Sequence, residues 1–530
     1  MKVAGSECIP ETAVRNVGFL EAKSLRGEAG CPVRRKRAGT HGAWHGSPGR
    51  AAVLVFALAC ADQVLLHASD QDIPFDRIRA TKRVVAVRTC EPIVIDGVLN
   101  EAAWKRAAPA TVFYQQQPDE GGLATMQTEV RFLYDAEDLY VGGTLFDPDP
   151  IRGPIINELK RDFSARDGDL ITVVLDTFRD QRNAFEFMTN PAGAQRDAES
   201  YDDGRQINQN WDGVWFLKTA RFDRGWTMEM AIPFKTLRFR QGEAPEWGMN
   251  IFRLVRRINE VSSWAPVPRQ FDQSKMSYAG VLTGISGVRP GRNFRVKPFV
   301  VAQGSKGLTQ GKTSWTSDGD GGFDIKYGIG PSLRLDGSFR TDFSQVEADE
   351  QQINLTRFSL FFPEKREFFL ENQGAFRVGD QNSSGQGGGR KDLLAFFSRR
   401  LGLSDEGHPI PVLGGARLTG KHGAYGIGLL QMWTESYDGA PRRSYTAARI
   451  SHDIDGGSSM GAFYFGTESS ADFNRVAGGD LHLNFRKTKD VYAFFLKSAS
   501  PGVSGRDWAG RAAFSAIENG YTANVSYTNI

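Results

Sequence analysis

The chain has 530 residues, of which 40% are hydrophobic and 24% charged, and its 59 glycines and 23 prolines follow no Gly-X-Y period. This composition excludes collagen and general disorder and predicts a folded chain of two to four domains, or fewer if one is a large β-barrel. The formal net charge is +3, but residues 62–530 carry 56 basic and 58 acidic side chains without a basic stripe, so we expect no nucleic-acid partner.

Cysteine and histidine are rare after the first seventy residues. Cys90 is the only cysteine beyond Cys60, so the bulk of the chain cannot contain an internal disulfide. No histidine lies between His67 and His408. Residues 68–407 therefore cannot form a histidine-bearing zinc site, nor a Ser-His or Cys-His couple, from their own side chains.

The first predicted element is an apolar run near the N-terminus. Residues 51–61 (AAVLVFALACA) follow Arg50 and a basic cluster at 34–37. A membrane-spanning helix needs about 20 apolar residues, whereas the core of a signal peptide needs about 7–15 preceded by positive charge. We therefore predict that residues 1–68 are a leader and signal peptide of an exported protein. A buried helix of a cytosolic protein is the alternative, and residues 57–60 (ALAC) leave lipidation open.

Residues 85–288 have the period of β-strands. In 128–135 (TEVRFLYD) the apolar side chains Val130, Phe132 and Tyr134 fall on one face, as expected for a half-buried strand. Residues 226–232 (WTMEMAI) alternate in the same way, and 170–175 (LITVVL) are apolar throughout, as in a strand covered on both sides. The pattern predicts a β-sandwich of about 200 residues.

Five blocks in this region carry a resemblance. They are IDGVLNEAAW (95–104), DLYVGGTLFD (138–147), VVLDTFRDQRNAFEFMTNPAGAQRD (173–197), WDGVW (211–215) and GWTMEMAIPFKTLRF (225–239). In order and spacing they resemble the family 9 carbohydrate-binding modules and their relatives in bacterial surface proteins. The resemblance implies a β-sandwich that, in the sugar-binding members, holds a saccharide between aromatic side chains, sometimes with structural calcium nearby.

A saccharide site needs flat aromatic faces for the apolar side of the sugar ring and polar groups for its hydroxyls. The residues that could supply these groups are Trp211, Trp215, Asn190, Arg179, Asp197 and Asp203. The alternative is that Trp215, like Trp226, packs in the core of the sandwich. Trp104 follows a helical-looking segment, and we expect it to be a packing residue.

Carboxylates in the same region leave calcium binding and catalysis open. Oxygen ligands for calcium could come from Asp176, Asp180, Asp197 and Asp203, although turn hydrogen bonds explain isolated Asp residues equally well. A glycosidase needs two carboxyl groups about 5–9.5 Å apart, one with a raised pKa. The sequence offers Glu186, Asp197, Glu199 and Glu229 but no distance between them. We therefore expect a binder rather than an enzyme, with no catalytic residue and no cofactor.

Residues 290–530 contain about eleven segments of roughly ten residues in which apolar or aromatic side chains alternate with small or polar ones. This pattern favours a transmembrane β-barrel of the outer-membrane type, in which one face of each strand meets lipid. Six aromatic residues would suit the interfacial girdles of such a barrel: Phe463, Tyr464, Phe465, Tyr492, Phe494 and Phe495. A soluble multi-stranded sheet, which has the same period, is the alternative.

A second resemblance lies in this region. DFSQVEADEQQINLTRFSLFFPEKREFFLENQGAF (342–376) and FFSRRLG (396–402) are similar to a signature of a bacterial family of unknown function. In that family a family-9-like domain precedes an outer-membrane barrel. Within the signature, 363–367 (PEKRE) predicts the start of a short structural helix. Because the chain ends at Ile530 without a terminal aromatic residue, we expect the barrel to be incomplete at its C-terminus.

These predictions combine into an all-β protein with a carbohydrate-binding β-sandwich at 85–288 and an outer-membrane β-barrel region at 290–530. Its partners would be a glycan and outer-membrane lipid, with a function in polysaccharide capture or catabolism. The alternatives are a glycoside hydrolase and a structural envelope protein whose sandwich has no sugar ligand. The sequence leaves the oligomeric state open.

Overall fold

The computed structural model describes residues 75–529 except for a set of internal segments. These are 150–152, 241, 243–244, 289–290, 292, 310–311, 341–363, 365, 379–393, 404–409, 437–440, 504, 506 and 519–520. The predicted leader and signal peptide (1–68) lies outside the described residues. No helix in the described part of the chain has both the length and the apolar character needed to cross a bilayer.

The described helices are short. They are α1 (Phe75–Thr81), α2 (Ala102–Arg106) and α3 (Glu367–Leu370), with 3₁₀ turns at Arg256–Ile258, Met276–Tyr278, Gln373–Phe376, Ser398–Arg400 and Asp455–Gly457. The helix expected from residue 363 begins at Glu367, and residues 363 and 365 are outside the described part. Strands form the rest of the regular structure, so the predicted all-β class is confirmed.

The first fourteen strands build two sheets. They are β1 (Arg83–Val85), β2 (Val87–Arg88), β3 (Tyr114–Gln117), β4 (Thr128–Tyr134), β5 (Asp138–Phe146), β6 (Leu170–Asp176), β7 (Ala184–Thr189), β8 (Gln195–Tyr201), β9 (Gln206–Asn208), β10 (Phe216–Phe222), β11 (Gly225–Pro233), β12 (Trp247–Val255), β13 (Glu260–Ser263) and β14 (Gly280–Thr283). One sheet has the order β1-β14-β12-β6-β7-β8-β9, with β13 joining β12 to β3. The other has the order β10-β11-β5-β4-β2.

The two sheets enclose one large apolar core, as the prediction of a sandwich requires. Val130, Phe132 and Tyr134 of β4 lie in this core, as their alternation predicts. Leu133, on the opposite face of β4, is nevertheless buried too, because Trp104 of α2 packs over it. A strand that reads as half-buried in the sequence is therefore covered on one face by the core between the sheets and on the other by α2.

A third sheet consists of eleven strands. They are β15 (Arg295–Thr309), β16 (Lys312–Ile329), β17 (Leu333–Phe339), β18 (Val412–His422), β19 (Tyr425–Thr434), β20 (Arg443–Ile454), β21 (Ser458–Ser469), β22 (Phe473–Phe485), β23 (Lys489–Ala499), β24 (Trp508–Glu518) and β25 (Tyr521–Asn529). Each strand pairs antiparallel with the next in chain order. The described residues show no pairing between β15 and β25, so the predicted barrel is not closed within the described structure.

The third sheet has one polar and one apolar face over much of its area. In β17, Asp336 and Ser338 are buried, whereas their neighbours Leu335 and Phe339 are exposed. In β20, Arg449 and Ser451 are buried, whereas Ile450 between them is 55% exposed. We call the two sides the inner face and the outer face. The inner face contacts the sandwich through ion pairs such as Arg182–Asp453, within one compact unit that spans Pro74–Ile530.

An apolar cluster covers part of the inner face. Phe368, Phe369 and Phe376 from the segment between β17 and β18 pack there against side chains of β19–β23. Phe463, Phe465 and Tyr492 are buried, so these three do not form the exposed aromatic girdle that their alternation suggested. They face inward because the segment with α3 supplies apolar partners on that side, or, for Tyr492, because the sandwich does.

Candidate functional site

The sandwich carries a polar cleft with a volume of about 370 Å³. Its lining comes from three parts of the sandwich and from α3, and consists of Asp162, Arg196, Gln209, Asn210, Asp212 and Leu370. Asp162 lies in the β5–β6 loop, Arg196 on β8, and the next three in the β9–β10 loop. Five of the six side chains offer hydrogen-bonding groups, so the cleft suits a ligand rich in donors and acceptors.

Arg161 organises one wall of the cleft. Its guanidinium donates from Nη2 to Asp197 Oδ1 at 2.5 Å and from Nε to Asp212 Oδ1 at 2.9 Å. Its Nη1 donates to Gln195 Oε1 at 3.1 Å. Because Asp197 is buried and Asp212 is exposed, Arg161 fixes the position of an exposed carboxylate from a buried anchor.

Asp197 does not line the cleft but anchors Arg161. Its second oxygen accepts a hydrogen bond from the Gly213 backbone N–H at 2.5 Å, which ties β8 to the WDGVW block. Burial raises the pKa of Asp197 to about 7, although the Gly213 N–H and the charge of Arg161 act in the opposite direction. Asp197 is therefore a positioning group of the wall rather than an exposed ligand contact.

The two tryptophans predicted as a sugar platform lie in the core. Trp211 and Trp215 are each 4% exposed. The ring centroid of Trp211 is 5.2 Å from that of Phe185, and the ring of Trp215 is 5.4 Å from that of Phe187. The exposed platform is therefore not formed in this structure, because both indoles pack between the sheets, and ligand contact by either ring stays a prediction.

The remaining predicted residues have partners within the protein. Asn190 caps the β7–β8 turn, since its Oδ1 accepts from Ala192 N at 3.0 Å and Ala194 N at 3.1 Å. Asp203 is buried against Lys275, with Nζ 2.7 Å from Oδ2. Arg179 is exposed and pairs with Glu246. The structure thus brings Asp197 together with the Trp211–Trp215 segment, but the contacts of Arg179 and Asp203 are made elsewhere.

The candidate calcium ligands are also engaged. Asp176 Oδ2 accepts from Gln181 N at 2.8 Å, and Asp180 Oδ1 accepts from Arg182 N and Asn183 N, each at 2.8 Å. Lys421 of β18 places its ammonium against Asp180. No group of three His, Cys, Asp or Glu side chains in the described residues is arranged to hold a metal ion, and calcium stays a prediction.

The other carboxylates that the sequence offered for catalysis are bonded inside the protein. Glu229 accepts from Gly97 N at 2.8 Å, Asp96 N at 3.0 Å and Trp104 Nε1 at 3.2 Å. Glu186 contacts Ser274 Oγ at 2.5 Å, and Glu199 pairs with Arg238 at 2.5 Å. None of these glutamates lines the cleft.

Sequence reasoning missed every residue that lines the cleft. Arg196 is adjacent to Asp197, while Asn210 and Asp212 flank Trp211. The sequence analysis therefore identified segments next to the cleft, but it selected Trp211 as the ligand contact, whereas the polar residues beside it line the cleft. Arg161 and Asp162 stand in a loop without any motif, so nothing local in the sequence could have indicated them.

Two family models match the chain. Residues 95–254 match "Carbohydrate family 9 binding domain-like", and residues 292–449 match "Domain of unknown function (DUF5916)". The first match covers all five quoted blocks and confirms the resemblance to family 9. No curated protein matches the chain.

Two solved structures that are similar to part of the chain are of a family 9 carbohydrate-binding module of Caldicellulosiruptor kristjanssonii. The complex with cellotriose is 16% identical, covers 39% of this chain and 95% of that chain, and has a TM-score of 0.28. The complex with glucose is 13% identical, covers 39% of this chain and 96% of that chain, and has a TM-score of 0.27. A third solved structure is that of a protein of Bacteroides uniformis whose carbohydrate binding is provisionally assigned. It is 10% identical, covers 38% of this chain and 99% of its own, and has a TM-score of 0.32. The two family matches by themselves place a domain of the family 9 carbohydrate-binding-like type at 95–254 and a DUF5916 domain at 292–449.

Proposed function

We propose that the sandwich binds a carbohydrate in the polar cleft. The observation that carries the proposal is the convergence of two carboxylates, two amides and one guanidinium on a single cleft of a domain that matches family 9. Such groups donate to and accept from sugar hydroxyls. The volume of about 370 Å³ falls in the range of small-molecule sites, roughly 300–1,000 Å³.

The cleft also indicates how the ligand would be recognised. Leu370 is the one apolar side chain in its described lining, and no aromatic ring contributes. Recognition would therefore rest on hydrogen bonds to hydroxyls, with Arg161 holding Asp212 in place, rather than on stacking against a ring face. Hydrogen bonds that replace bonds to water have a modest net free energy, so we expect weak binding of a single sugar and tighter binding of an oligosaccharide.

Retention of the full chain on a panel of immobilised polysaccharides tests this proposal. Asp212→Ala and Arg196→Ala should each weaken binding of the retained glycan at least tenfold, which corresponds to about 1.4 kcal/mol. Arg221→Ala is the matched control, because Arg221 is exposed on β10 and does not line the cleft. Absence of retention on a broad panel, or equal retention by all variants, would contradict the proposal.

An assay for reducing ends in the same binding reactions tests the hydrolase alternative. Released reducing ends would indicate cleavage of a glycosidic bond. Glu186, Glu199 and Glu229 are buried with protein partners and do not line the cleft, so cleavage would have to use Asp162 and Asp212, the two carboxylates that do. Loss of the released ends in Asp212→Ala would then support the hydrolase alternative. The structural alternative, a sandwich without sugar ligand, predicts no retention and unchanged envelope integrity in the Asp212→Ala variant.

We also propose that the chain is exported and that its third sheet lies in the outer membrane as part of a β-barrel. The outer face supports this, because exposed apolar side chains recur along its strands, including Val300, Trp315, Leu335, Ile450, Phe495 and Val525. A soluble sheet buries its apolar face, whereas here charged residues such as Asp336 and Arg417 are buried instead. Lipid is the solvent in which that distribution is favourable.

Fractionation of cells that express the full chain tests export and membrane insertion together. We expect the protein in the outer-membrane fraction, extractable by detergent, with an N-terminus after residue 68, where the predicted signal peptide ends. Recovery in the soluble fraction with Met1 retained would contradict both parts of the proposal.

A further inference from the structure

A second, smaller cavity lies where the sandwich meets the inner face of the third sheet. Its volume is about 70 Å³, more than twice the ~30 Å³ that one water occupies in the liquid. Its lining includes Arg182 and Gln206 from the sandwich, Arg377 from the segment after α3, and Arg449, Ser459 and Asp480 from the sheet. The cavity is separate from the polar cleft, with which it shares no lining residue.

Five lining side chains have a buried polar atom without a hydrogen-bond partner among the described residues; one of them, His482 Nδ1, lies 3.2 Å from Asp202 Oδ1, and the other four have no such neighbour. These other four atoms are Arg182 Nε, Arg377 Nη1, Ser459 Oγ and Gln206 Oε1. Ser459 is 1% and Gln206 4% exposed. Buried polar groups in folded proteins are nearly always satisfied, so such a concentration around one cavity points to a missing partner.

The charged side chains around the cavity indicate whether the missing hydrogen-bond partner is positive or negative. Asp480 is neutralised by Arg449, whose Nη2 lies 2.7 Å from Oδ2. Asp202 accepts from Tyr492 OH at 2.9 Å and lies 3.2 Å from His482 Nδ1 and 3.6 Å from Arg182 Nη2.

Arg377, in contrast, has no carboxylate within 4 Å in the described part of the chain. Its Nη2 donates to Gln373 Oε1 at 3.3 Å, and its guanidinium lies 5.9 Å from the centroid of the Tyr201 ring. Of the four unsatisfied groups other than His482, three are able to donate, namely Arg182 Nε, Arg377 Nη1 and Ser459 Oγ. A positive, donor-rich cavity fits an acceptor with negative charge.

We propose that this cavity binds one small oxyanion of the size of formate, sulfate or phosphate. The anion would accept hydrogen bonds from Arg182 of the sandwich, Arg377 of the intervening segment and Ser459 of β21. It would thereby join the sandwich to the third sheet, and anion binding would strengthen their association.

Thermal unfolding of the purified full chain tests the proposal. The protein is transferred into chloride buffer, and sodium formate, sulfate or phosphate is titrated at constant ionic strength. At least one oxyanion should raise Tm beyond the chloride control, with a concentration dependence that yields an apparent Kd. Comparison of the three anions separates a carboxylate site from a site for a tetrahedral ion.

Variants locate the site. Arg377→Gln should weaken the apparent Kd at least tenfold, and Ser459→Ala, which changes no charge, should weaken it severalfold. Arg475→Gln is the control, since Arg475 forms an exposed pair with Glu468 and does not line the cavity. The proposal is overturned if no oxyanion acts beyond chloride, if both cavity variants keep the wild-type Kd, or if an experimental density map obtained in phosphate shows only water there.

Discussion

At the residue scale, Glu229 explains why the IDGVLNEAAW block has its particular residues. Its carboxylate accepts hydrogen bonds from the backbone N–H groups of Asp96 and Gly97 and from the indole N–H of Trp104. Gly97 has φ +93°, and a Cβ there would lie 2.7 Å from the carbonyl carbon of Thr219. Only glycine fits this position without strain. The block is therefore a structural device that anchors α2, as expected for Trp104.

Removal of the Glu229 carboxylate should destabilise the sandwich. Glu229→Ala leaves two buried donors, Gly97 N–H and Trp104 Nε1–H, and the partly buried Asp96 N–H without an acceptor, and we expect the free energy of unfolding to fall by about 3 kcal/mol. Urea denaturation of the variant and of the exposed control Glu137→Ala measures the difference. A loss below 1 kcal/mol, equal to the control, would contradict the structural role of Glu229.

Glu186 predicts a pH dependence of stability. Burial raises the pKa of Glu186 from 4.5 to about 7, with the charge of Asp272 acting in the same direction and Ser274 opposing it. The folded state therefore keeps this proton up to about pH 7, whereas the unfolded chain releases it near pH 4.5. The stabilisation is complete below pH 4.5, falls as the pH rises to about 7, and amounts to at most about 3 kcal/mol.

Glu186→Gln should flatten this part of the profile, because glutamine is neutral at every pH and can still bond to Ser274 Oγ. The measurement is the free energy of unfolding between pH 4.5 and pH 8, with Glu137→Gln as control. A variant profile with the slope of the wild type would show that Glu186 does not hold the proton.

At the scale of elements, strand alternation describes the third sheet well. Each of the eleven segments recognised in the sequence corresponds to one of the strands β15–β25. The direction in which each face points was not evident from alternation alone. Period two separates two sets of side chains, but the sandwich and the segment with α3 determine which set is inner.

Ile450→Lys tests the proposed lipid contact of the outer face. A lysine at the middle of a bilayer costs about 2–4 kcal/mol, and less near the interface. In a soluble sheet the same change at an exposed position should stay within about 0.5 kcal/mol. The measurement is denaturant unfolding from lipid vesicles, with Ile258→Lys in an exposed 3₁₀ turn of the sandwich as control. Equal, small effects of the two changes would argue for the soluble alternative.

At the scale of the whole molecule, buried ion pairs hold the sandwich against the third sheet. Lys421 of β18 contacts Asp180 of the sandwich and lies 2.5 Å from Asp453 of β20. Arg182 adds a 3.2 Å pair with the same Asp453, and Arg205 pairs with Asp490 of β23. Charges at this junction depend on one another, because loss of one partner leaves another charge buried and uncompensated.

Lys421→Ala should therefore loosen the junction. Two carboxylates lose their ammonium partner, and we expect a destabilisation of about 3–5 kcal/mol. Hydrogen exchange of the β6–β7 loop reports the loosening, and Asp453→Asn in the same chain should restore part of the protection. Lys497→Ala, which removes an exposed pair with Asp507, is the control. Unchanged exchange in Lys421→Ala would contradict the role given to this junction.

The sequence by itself determined the all-β class, the eleven strands that the described residues after 290 form, and the family 9 character of the blocks between 95 and 239. These properties depend on the two-residue period of a strand and on the spacing of motif blocks, which are local features of the chain. The same reasoning identified Asp197 and the WDGVW block as parts of one region, and Trp104 as a packing residue.

Only the tertiary structure decided which side chains line the cleft. Trp211 and Trp215 lie in the core because Phe185 and Phe187 of β7 pack against them, and an indole in a motif looks the same whether it is buried or exposed. Arg161 lies 36 residues from Asp197 in the chain, yet it bonds to Asp197 and to Asp212, which lines the cleft. Burial and ion pairing depend on which distant element covers a face, and that information is absent from local sequence patterns.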